Sequence, residues 1–221
     1  MKIIKYLAIV PVRKNSKRIK NKNLIKIKGK TLLNITLDSL KNINKIEKVI
    51  VSSDSEKILK ISKKYKKVFT IKRPKKFCFD HSKTEDAIMH AVKTFEKKGF
   101  IIKNILLLQV TSPLRTVRDI LNCITVYEKN KLNSIFSVYS SKNFIWKKIG
   151  NVRKSISYNY KKRTISQKMK PLYYENGAIY IFSKERFMKK KNRIIRPFDF
   201  FLMPKFRSTD IDTKEDLFGF K

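Results

Sequence analysis

Apolar positions in this 221-residue chain fall into short runs divided by polar turns, and the runs alternate between two periods. Residues 7–10 (LAIV), 48–52 (KVIVS), 68–71 (VFTI), 104–109 (NILLLQ) and 134–139 (SIFSVY) are brief and rich in branched side chains. That is the pattern of strands buried on both faces. Helical spacing lies between them. It appears in Leu32, Leu33, Ile35, Leu37 and Leu40, and in Ile58, Leu59 and Ile61 over 55–65. It recurs in Ile88, Met89, Val92 and Phe95 after Thr84, and again over 117–129. Strand–helix alternation predicts a single α/β domain over 1–221, built on a mostly parallel sheet with helices on both faces. From 142 to 171 the alternation stops, and Trp146, Tyr158, Tyr160 and Met169 stand among Lys, Arg and Ser. A lobe, a hairpin and a dimerisation arm all fit such a segment, since aromatics in a short extension often bury against a partner chain. A core strand resumes over 177–181. Phe187 marks a short helix, and a last helical turn is expected over 215–220.

The polar segments sit where predicted strands end. Pro11 terminates the first strand because it has no donor for the ladder. A loop dense in cations and amides follows: Arg13, Lys14, Asn15, Ser16, Lys17, Arg18, Lys20, Lys22 and Asn23. Strand, cationic loop and helix at the start of an α/β chain suit a phosphorylated ligand at the sheet's carboxyl edge. Gly29-Lys30-Thr31 imitates the end of a GxxxxGK[ST] phosphate loop. The motif's first glycine would fall on Leu24, so the turn residue is missing and the motif is set aside.

Charge changes the picture less than its size suggests. There are 54 Lys and Arg against 17 Asp and Glu, a net +37. Such an excess can serve nucleic acid. Here the cations are spread along the whole chain, so a compositional preference for Lys, Asn and Ile is the better account and nucleic acid is not the expected partner. The excess still draws anionic substrates. No run approaches the ~18 apolar residues of a membrane span, and the run after Lys2 and Lys5 is a strand rather than a leader. Cys78 and Cys123 lie far apart with no CxxC, which predicts free thiols and a cytoplasmic protein without zinc. His81 and His90 form no HExxH, and His90 reads as a packed or surface residue.

In a chain this poor in acid, Asp210 and Asp212 stand out. Alternate residues of an extended segment point to one side, so the pair suits a hard divalent cation. Asp212 or Thr213 could equally cap the following helical turn, and both roles remain open. Combined with the cationic loop and the strand-end turns at 109–116 and Asn176-Gly177, the pair suits nucleotidyl transfer. In that reaction a hydroxyl attacks an α-phosphate and Mg²⁺-pyrophosphate leaves.

These segments resemble the acylneuraminate cytidylyltransferases, the CMP-sialic acid synthetases and their relatives for other nonulosonic acids. Residues 7–13 with Ser16-Lys17 resemble the opening IPARGGSK, and Lys22-Asn23 with Gly29-Lys30 its continuation. Val51-Ser52-Ser53-Asp54 resembles VSSDS, and Arg73-Pro74 with Asp80 and Thr84 resembles RPxxLAxDxxxT/S. Residues 108–115 resemble LQPTSPLR, 176–180 NGAIY, and 210–213 DIDT. The matches run nearly end to end in the family's order. The resemblance implies a Rossmann-like fold, CTP and a nine-carbon acidic sugar as substrates, Mg²⁺, and a homodimer. It implies that Arg13, Ser16, Lys22 and Asn23 bind the CTP phosphates, with Arg13 and Lys22 stabilising the departing charge. Arg73 and Thr84 would lie near the nucleotide and Gln109 would bind the sugar acid. Asp210 and Asp212 would carry Mg²⁺ and help deprotonate the anomeric hydroxyl. The 142–171 insertion would reach into the partner's site.

The chain also departs from the family. The paired glycines are Lys14-Asn15, two prolines are Val110 and Thr31, and Ser166-Gln167 stands where an Arg-Gln pair is usual. Arg163 is the nearby candidate for the missing sugar-carboxylate arginine. Legionaminic, pseudaminic and 3-deoxy-manno-octulosonic acids remain alternative acceptors. A non-catalytic basic protein of the same fold, binding nucleic acid or polysaccharide, is the alternative from another class.

Overall fold

The computed structural model describes residues 2–14, 16 and 18–220. Its elements run β1 (Lys2–Pro11), β2 (Lys26–Ile27), β3 (Lys30–Thr31), α1 (Leu32–Lys41), β4 (Lys48–Ser53), α2 (Glu56–Ser62) and β5 (Val68–Lys72). They continue with α3 (Thr84–Glu96), β6 (Phe100–Leu108), α4 (Val117–Lys129), β7 (Ser134–Ser141), β8 (Trp146–Ile149) and β9 (Val152–Ser155). Last come β10 (Leu172–Ser183), α5 (Lys184–Lys190) and β11 (Phe198–Leu202). Among the described residues the main sheet has the order β11-β7-β10-β6-β1-β4-β5. It is parallel throughout except β10, which runs antiparallel to both β6 and β7. The expected mostly parallel sheet with helices on both faces is therefore the fold.

Alternating side chains of the central strands feed two apolar layers. Tyr6, Ala8 and Val10 of β1 face α1, α2 and α4 through Leu33, Leu37, Ile58, Ile120 and Ile124. Leu7 and Ile9 face α3 and α5 through Ile88, Val92, Phe95 and Phe187. These residues are almost fully buried, which is why the strands read as unbroken apolar runs. Helices α1, α2, α4 and α5 start on side-chain caps at Thr31, Ser55, Thr116 and Ser183, whereas α3 follows Lys83 without one.

The Gly29-Lys30-Thr31 lookalike resolves into something else. Lys28 (φ 47°) and Gly29 (φ 80°) form the two-residue turn of the β2–β3 hairpin, a turn that needs positive φ at both centres. Thr31 accepts the Asn34 N–H at 3.1 Å and caps α1. No phosphate cradle forms there. Strand β11 lies outside every predicted element. Its Phe198, Phe200 and Leu202 are exposed while Asp199 and Phe201 are half-buried, so burial alternates but apolar side chains do not follow it. Pairing with β7 defines the strand. The 142–171 segment contains the β8–β9 hairpin and two short 3-10 turns. Trp146, Ile149, Val152, Ile156, Tyr160 and Ile165 on it are exposed.

One surface cluster carries a pH prediction. Glu128 accepts from Lys45 at 2.7 Å, Lys5 at 2.8 Å and the Tyr6 hydroxyl at 3.1 Å. Hydrogen bonds from Lys45 and then Lys5 hold its carboxyl at about 2, against partial burial. A folded carboxyl held below its unfolded value stabilises the fold above the unfolded value, near 4.5, and loses that contribution as pH falls toward 2. In Glu128→Gln the unfolding free energy should change less steeply between pH about 5 and 2. The difference should be on the order of 1 kcal/mol, because water screens part-exposed pairs. Urea melts across that range check it. An unchanged slope would remove Glu128 from the acid response.

Candidate active site

Strand order decides what the site contains. With β1 between β6 and β4, the carboxyl ends of three parallel strands open side by side, where open α/β sheets bind ligands. A pocket of about 310 Å³ lies there. Its lining includes seven residues singled out from the sequence: Arg13, Ser16, Lys22, Asn23, Arg73, Thr84 and Gln109. Asp210 and Asp212 come up beside them on the C-terminal segment. Arg163 does not. It is exposed on the 142–171 segment, with its guanidinium 4.5 Å from the Phe144 ring centre. Asn15 and Lys17 lie outside the described residues.

The cationic loop is held at several points. Asn23 Nδ2 donates to the Arg13 carbonyl at 2.8 Å, and the Lys14 N–H donates to Asp54 Oδ1 at 2.6 Å. Arg13 pairs with Asp80 at 2.8 Å. Lys22 pairs with Asp212 at 2.8 Å, and Arg18 with the other Asp212 oxygen at 2.6 Å. The cations facing the pocket are thus aligned by carboxylates that an incoming anion would compete with. Arg73 is anchored differently. It is buried, donating to the Ser52 carbonyl at 2.6 Å and the Ser52 hydroxyl at 3.2 Å. Burial lowers its pKa, opposed by Cys78 and Asp54.

Opposite the loop, Gln109 follows β6 and Gly177 lies in β10. Gly177 has φ 70°, a backbone conformation that favours glycine, and a Cβ on it would sit 3.1 Å from Gln109 Oε1, so any other residue would also push the Gln109 side chain aside. Behind them Arg115 is buried, with Nη1 donating to the Gln109 carbonyl at 3.0 Å and the Ala178 carbonyl at 2.8 Å. It ties the two strand ends together, and burial lowers its pKa to about 10. Asn176 is buried too, accepting from Ser137 at 2.6 Å and donating to Ser208 at 2.9 Å.

The acidic segment is clamped from both sides. The Ile211 N–H donates to the Thr111 carbonyl at 2.8 Å, and Ile211 is fully buried. Upstream, Arg207 makes two bonds to Asp119, at 2.8 and 3.1 Å. Asp210 Oδ1 is buried without a hydrogen-bond partner among the described residues. Burial raises the Asp210 carboxyl, Thr111 opposes this, and Asp212 raises it further. The hydrogen bond from Lys22 holds Asp212 low, against burial. Of the two caps open in the sequence, Asp212 gives its carboxylate to Lys22 and Arg18 instead. Thr213 stands before the last turn with Asp216 reaching back to it, accepting from the Thr213 N–H at 2.7 Å, its hydroxyl at 3.1 Å and the Asp212 N–H at 2.8 Å. That leaves the Asp212 carboxylate facing the cations.

No cluster of three or more His, Cys, Asp or Glu occurs among the described residues. A pair suffices for Mg²⁺, which keeps several waters and is commonly held by one or two carboxylates plus substrate phosphates. The buried unpartnered Asp210 oxygen beside a second carboxylate fits such an ion.

Sequence reasoning left Asp80, Arg115 and Asp119 without roles. Asp80 and Arg115 stand in segments that resemble the family's motifs, but the string does not say which groups they pair with; the fold does, giving Asp80 to Arg13 and Arg115 to the Gln109 and Ala178 carbonyls.

Comparison with known proteins agrees with this geometry. The family model described as cytidylyltransferase matches residues 7–217. A pseudaminic acid cytidylyltransferase of Campylobacter jejuni is 26% identical over 97% of this chain and 94% of its own length. An N-acylneuraminate cytidylyltransferase of Escherichia coli is 28% identical over 96% of this chain. The chain spans about half the length of that relative (50%). In fold alone it resembles CMP:2-keto-3-deoxy-manno-octonic acid synthetase complexed with CTP, at TM-score 0.66 and 13% identity. That likeness covers 97% of this chain and 96% of the other. The synthase of 4-diphosphocytidyl-2C-methyl-D-erythritol from Anaerococcus prevotii is similar at TM-score 0.66 and 14% identity, over 98% and 96% of the two chains. With a matching family model over nearly all its length, a nucleotidyltransferase fold and a cation-lined pocket at the sheet edge, the chain belongs to the cytidylyltransferase family and is a nucleotidyltransferase enzyme.

Proposed function

We propose that this protein transfers CMP from CTP to the anomeric hydroxyl of a nonulosonic, sialic-type sugar acid and releases pyrophosphate. The observation that carries the reading is the 2.8 Å pair between Lys22 and Asp212. It joins the phosphate-attracting loop to the carboxylate pair on one side of a pocket whose other side holds Gln109. The relatives named for pseudaminic and N-acylneuraminic acids support an acidic sugar acceptor.

In this mechanism Arg13, Ser16, Lys22 and Asn23 receive the triphosphate, Arg73 and Thr84 border the nucleoside, and Gln109 holds the sugar acid. Arg13 and Lys22 exchange their carboxylate partners for phosphate oxygens and stay aimed at the charge that builds on pyrophosphate. The acceptor oxygen attacks the α-phosphorus, the bond to the bridging oxygen of the β-phosphate breaks, and the acceptor proton passes to Asp210 or Asp212. Asp210 and Asp212 would also hold Mg²⁺, which when bound neutralises negative charge between the phosphates. The rest is positioning and electrostatics. The exposed aromatic and aliphatic side chains of 142–171 suit a homodimer, across which Arg163 would reach the second copy's site. A cytoplasmic setting, where CTP is made, fits the two free cysteines.

The test is pyrophosphate release from CTP with Mg²⁺ over a panel of N-acetylneuraminic, legionaminic, pseudaminic and 3-deoxy-manno-octulosonic acids, with light scattering on the same sample. Release with one acid and a dimeric mass are expected. Failure with every acid, together with failure to bind CTP, would sink the reading. Salt-sensitive duplex binding would then mark the basic binding protein instead.

A further inference from the structure

Arg193 lies between α5 and β11, far in sequence from every segment considered so far. Its Nε is ion-paired with Glu85 Oε1 at 3.0 Å, and Glu85 follows Thr84 in the first turn of α3. Its guanidinium lies 4.7 Å from the centre of the Tyr180 ring. Tyr180 in turn donates its hydroxyl to Glu175. The arginine is largely enclosed, 21% exposed, and its Nη1 is buried without a hydrogen-bond partner among the described residues. Buried guanidinium donors are rarely left unpaired, and an unpaired one asks for an explanation.

Register places this group beside the pocket. Tyr180 of β10 pairs with Leu107 of β6, and both side chains enter the layer under α3 and α5. Gln109 follows directly after β6, with its side-chain Oε1 beside Gly177 of β10. Tyr180 also lies close enough to Asp210 for that carboxylate to raise its pKa, along with burial and Glu175. Arg193 is not itself among the residues lining the pocket; it lies behind that wall, reached through Glu85 next to the lining Thr84 and through Tyr180 near Asp210. The expected alternative, Arg163, is exposed elsewhere on the chain and stacks on Phe144.

We infer that Arg193 is the guanidinium that recognises the carboxylate of the acidic sugar acceptor, held flat by Tyr180 and turned by Glu85 so that a donor edge remains for the ligand. The inference rests on the sugar-acid reading above. Arginine suits the task because its planar fork meets a carboxylate in two parallel bonds, and stacking on an aromatic ring fixes its plane beforehand. A lysine at this position would keep the charge but lose the fork.

The experiment compares each acid with its methyl ester, which lacks the charge but keeps the ring. N-acetylneuraminic and pseudaminic acids serve as probes, with binding measured calorimetrically in the presence of CDP. The unsubstituted protein should favour the better-bound acid over its ester by about 30-fold or more, the range of charge-assisted hydrogen bonds. In Arg193→Met that preference should collapse to within about threefold, with CTP binding unchanged, and Arg193→Lys should restore part of it. A merely structural arginine would weaken acid and ester alike and leave their ratio intact, which would overturn the inference. So would absence of an acid preference in the unsubstituted protein, or loss of the preference in Arg163→Met but not in Arg193→Met. CTP-dependent pyrophosphate release, measured in parallel, reports separately on the reading beneath it.

Discussion

Asp212→Ala should lower pyrophosphate release about a thousandfold, ~4 kcal/mol of barrier, while CTP still binds. Two roles for Asp212 predict different sizes. As an ion-pair partner it aligns Lys22 at 2.8 Å and Arg18 at 2.6 Å. Its side chain is 48% exposed, and exposed pairs contribute about 1 kcal/mol or less. Loss of alignment alone would therefore cost about tenfold or less. As a carboxylate working with the buried Asp210 to hold a dication, it acts where charge develops, and its removal costs several kcal/mol. CTP affinity without Mg²⁺ should hold or rise, because Lys22 and Arg18 lose a competitor for phosphate. The measurement is kcat and KM over a Mg²⁺ titration, beside calorimetric CTP binding. A drop of less than tenfold would leave Asp212 as an alignment device and move the chemistry to Asp210. Asp210→Asn should then show the thousandfold loss by itself.

Asp119→Ala should destabilise the fold by about 3 kcal/mol and lower Tm by roughly 10 °C. Asp119 is buried, and its carboxylate serves two structures at once. It completes the capping box of α4, accepting the Thr116 N–H at 2.9 Å, a contribution of about 1 kcal/mol. It also takes both bonds from Arg207, charge-assisted contacts of about 1.5–3 kcal/mol together with their cost when broken. Hydrogen bonds from Arg207 and Thr116 overcome burial and hold its carboxyl below the usual range, so it is ionised at neutral pH. The functional consequence follows from sequence distance. Arg207 is three residues before Asp210, and Ser208 bonds Asn176, so releasing Arg207 loosens the segment bearing both acidic residues. Turnover should fall more than CTP affinity. A double-mutant cycle with Arg207→Met, read by denaturant melts, should give a coupling of about 1–2 kcal/mol. Additive effects would mean that the pair does not hold the segment.

Much of this was legible in the sequence, for a local reason. A strand buried on both faces must be apolar throughout, so β4 and the second half of β6 declare themselves whatever their neighbours. A helix starting on a cap shows its hydroxyl and its periodicity together; the predicted span of α4, 117–129, coincides with the observed one. The cationic loop, the strand-end turns and the Asp210–Asp212 pair were visible because each is short and chemically uneven against its surroundings.

What the sequence could not decide is everything set by partners distant along the chain. It shows that a segment is buried, not against what. β11 appears only because β7 lies beside it, and its apolar side chains do not follow its alternating burial. Whether Asp212 caps a turn or faces the cations was open in the string, and the ion pairs from Lys22 and Arg18 decide it. Arg193 cannot be told from the many solvated cations until packing encloses it and leaves a donor unpaired among the described residues. The sequence by itself thus determined the alternation of elements and the chemistry available at strand ends. Only the tertiary structure decided strand order, and with it which of those ends share a pocket, because hydrogen-bonded pairing between distant segments is a property of the assembled sheet.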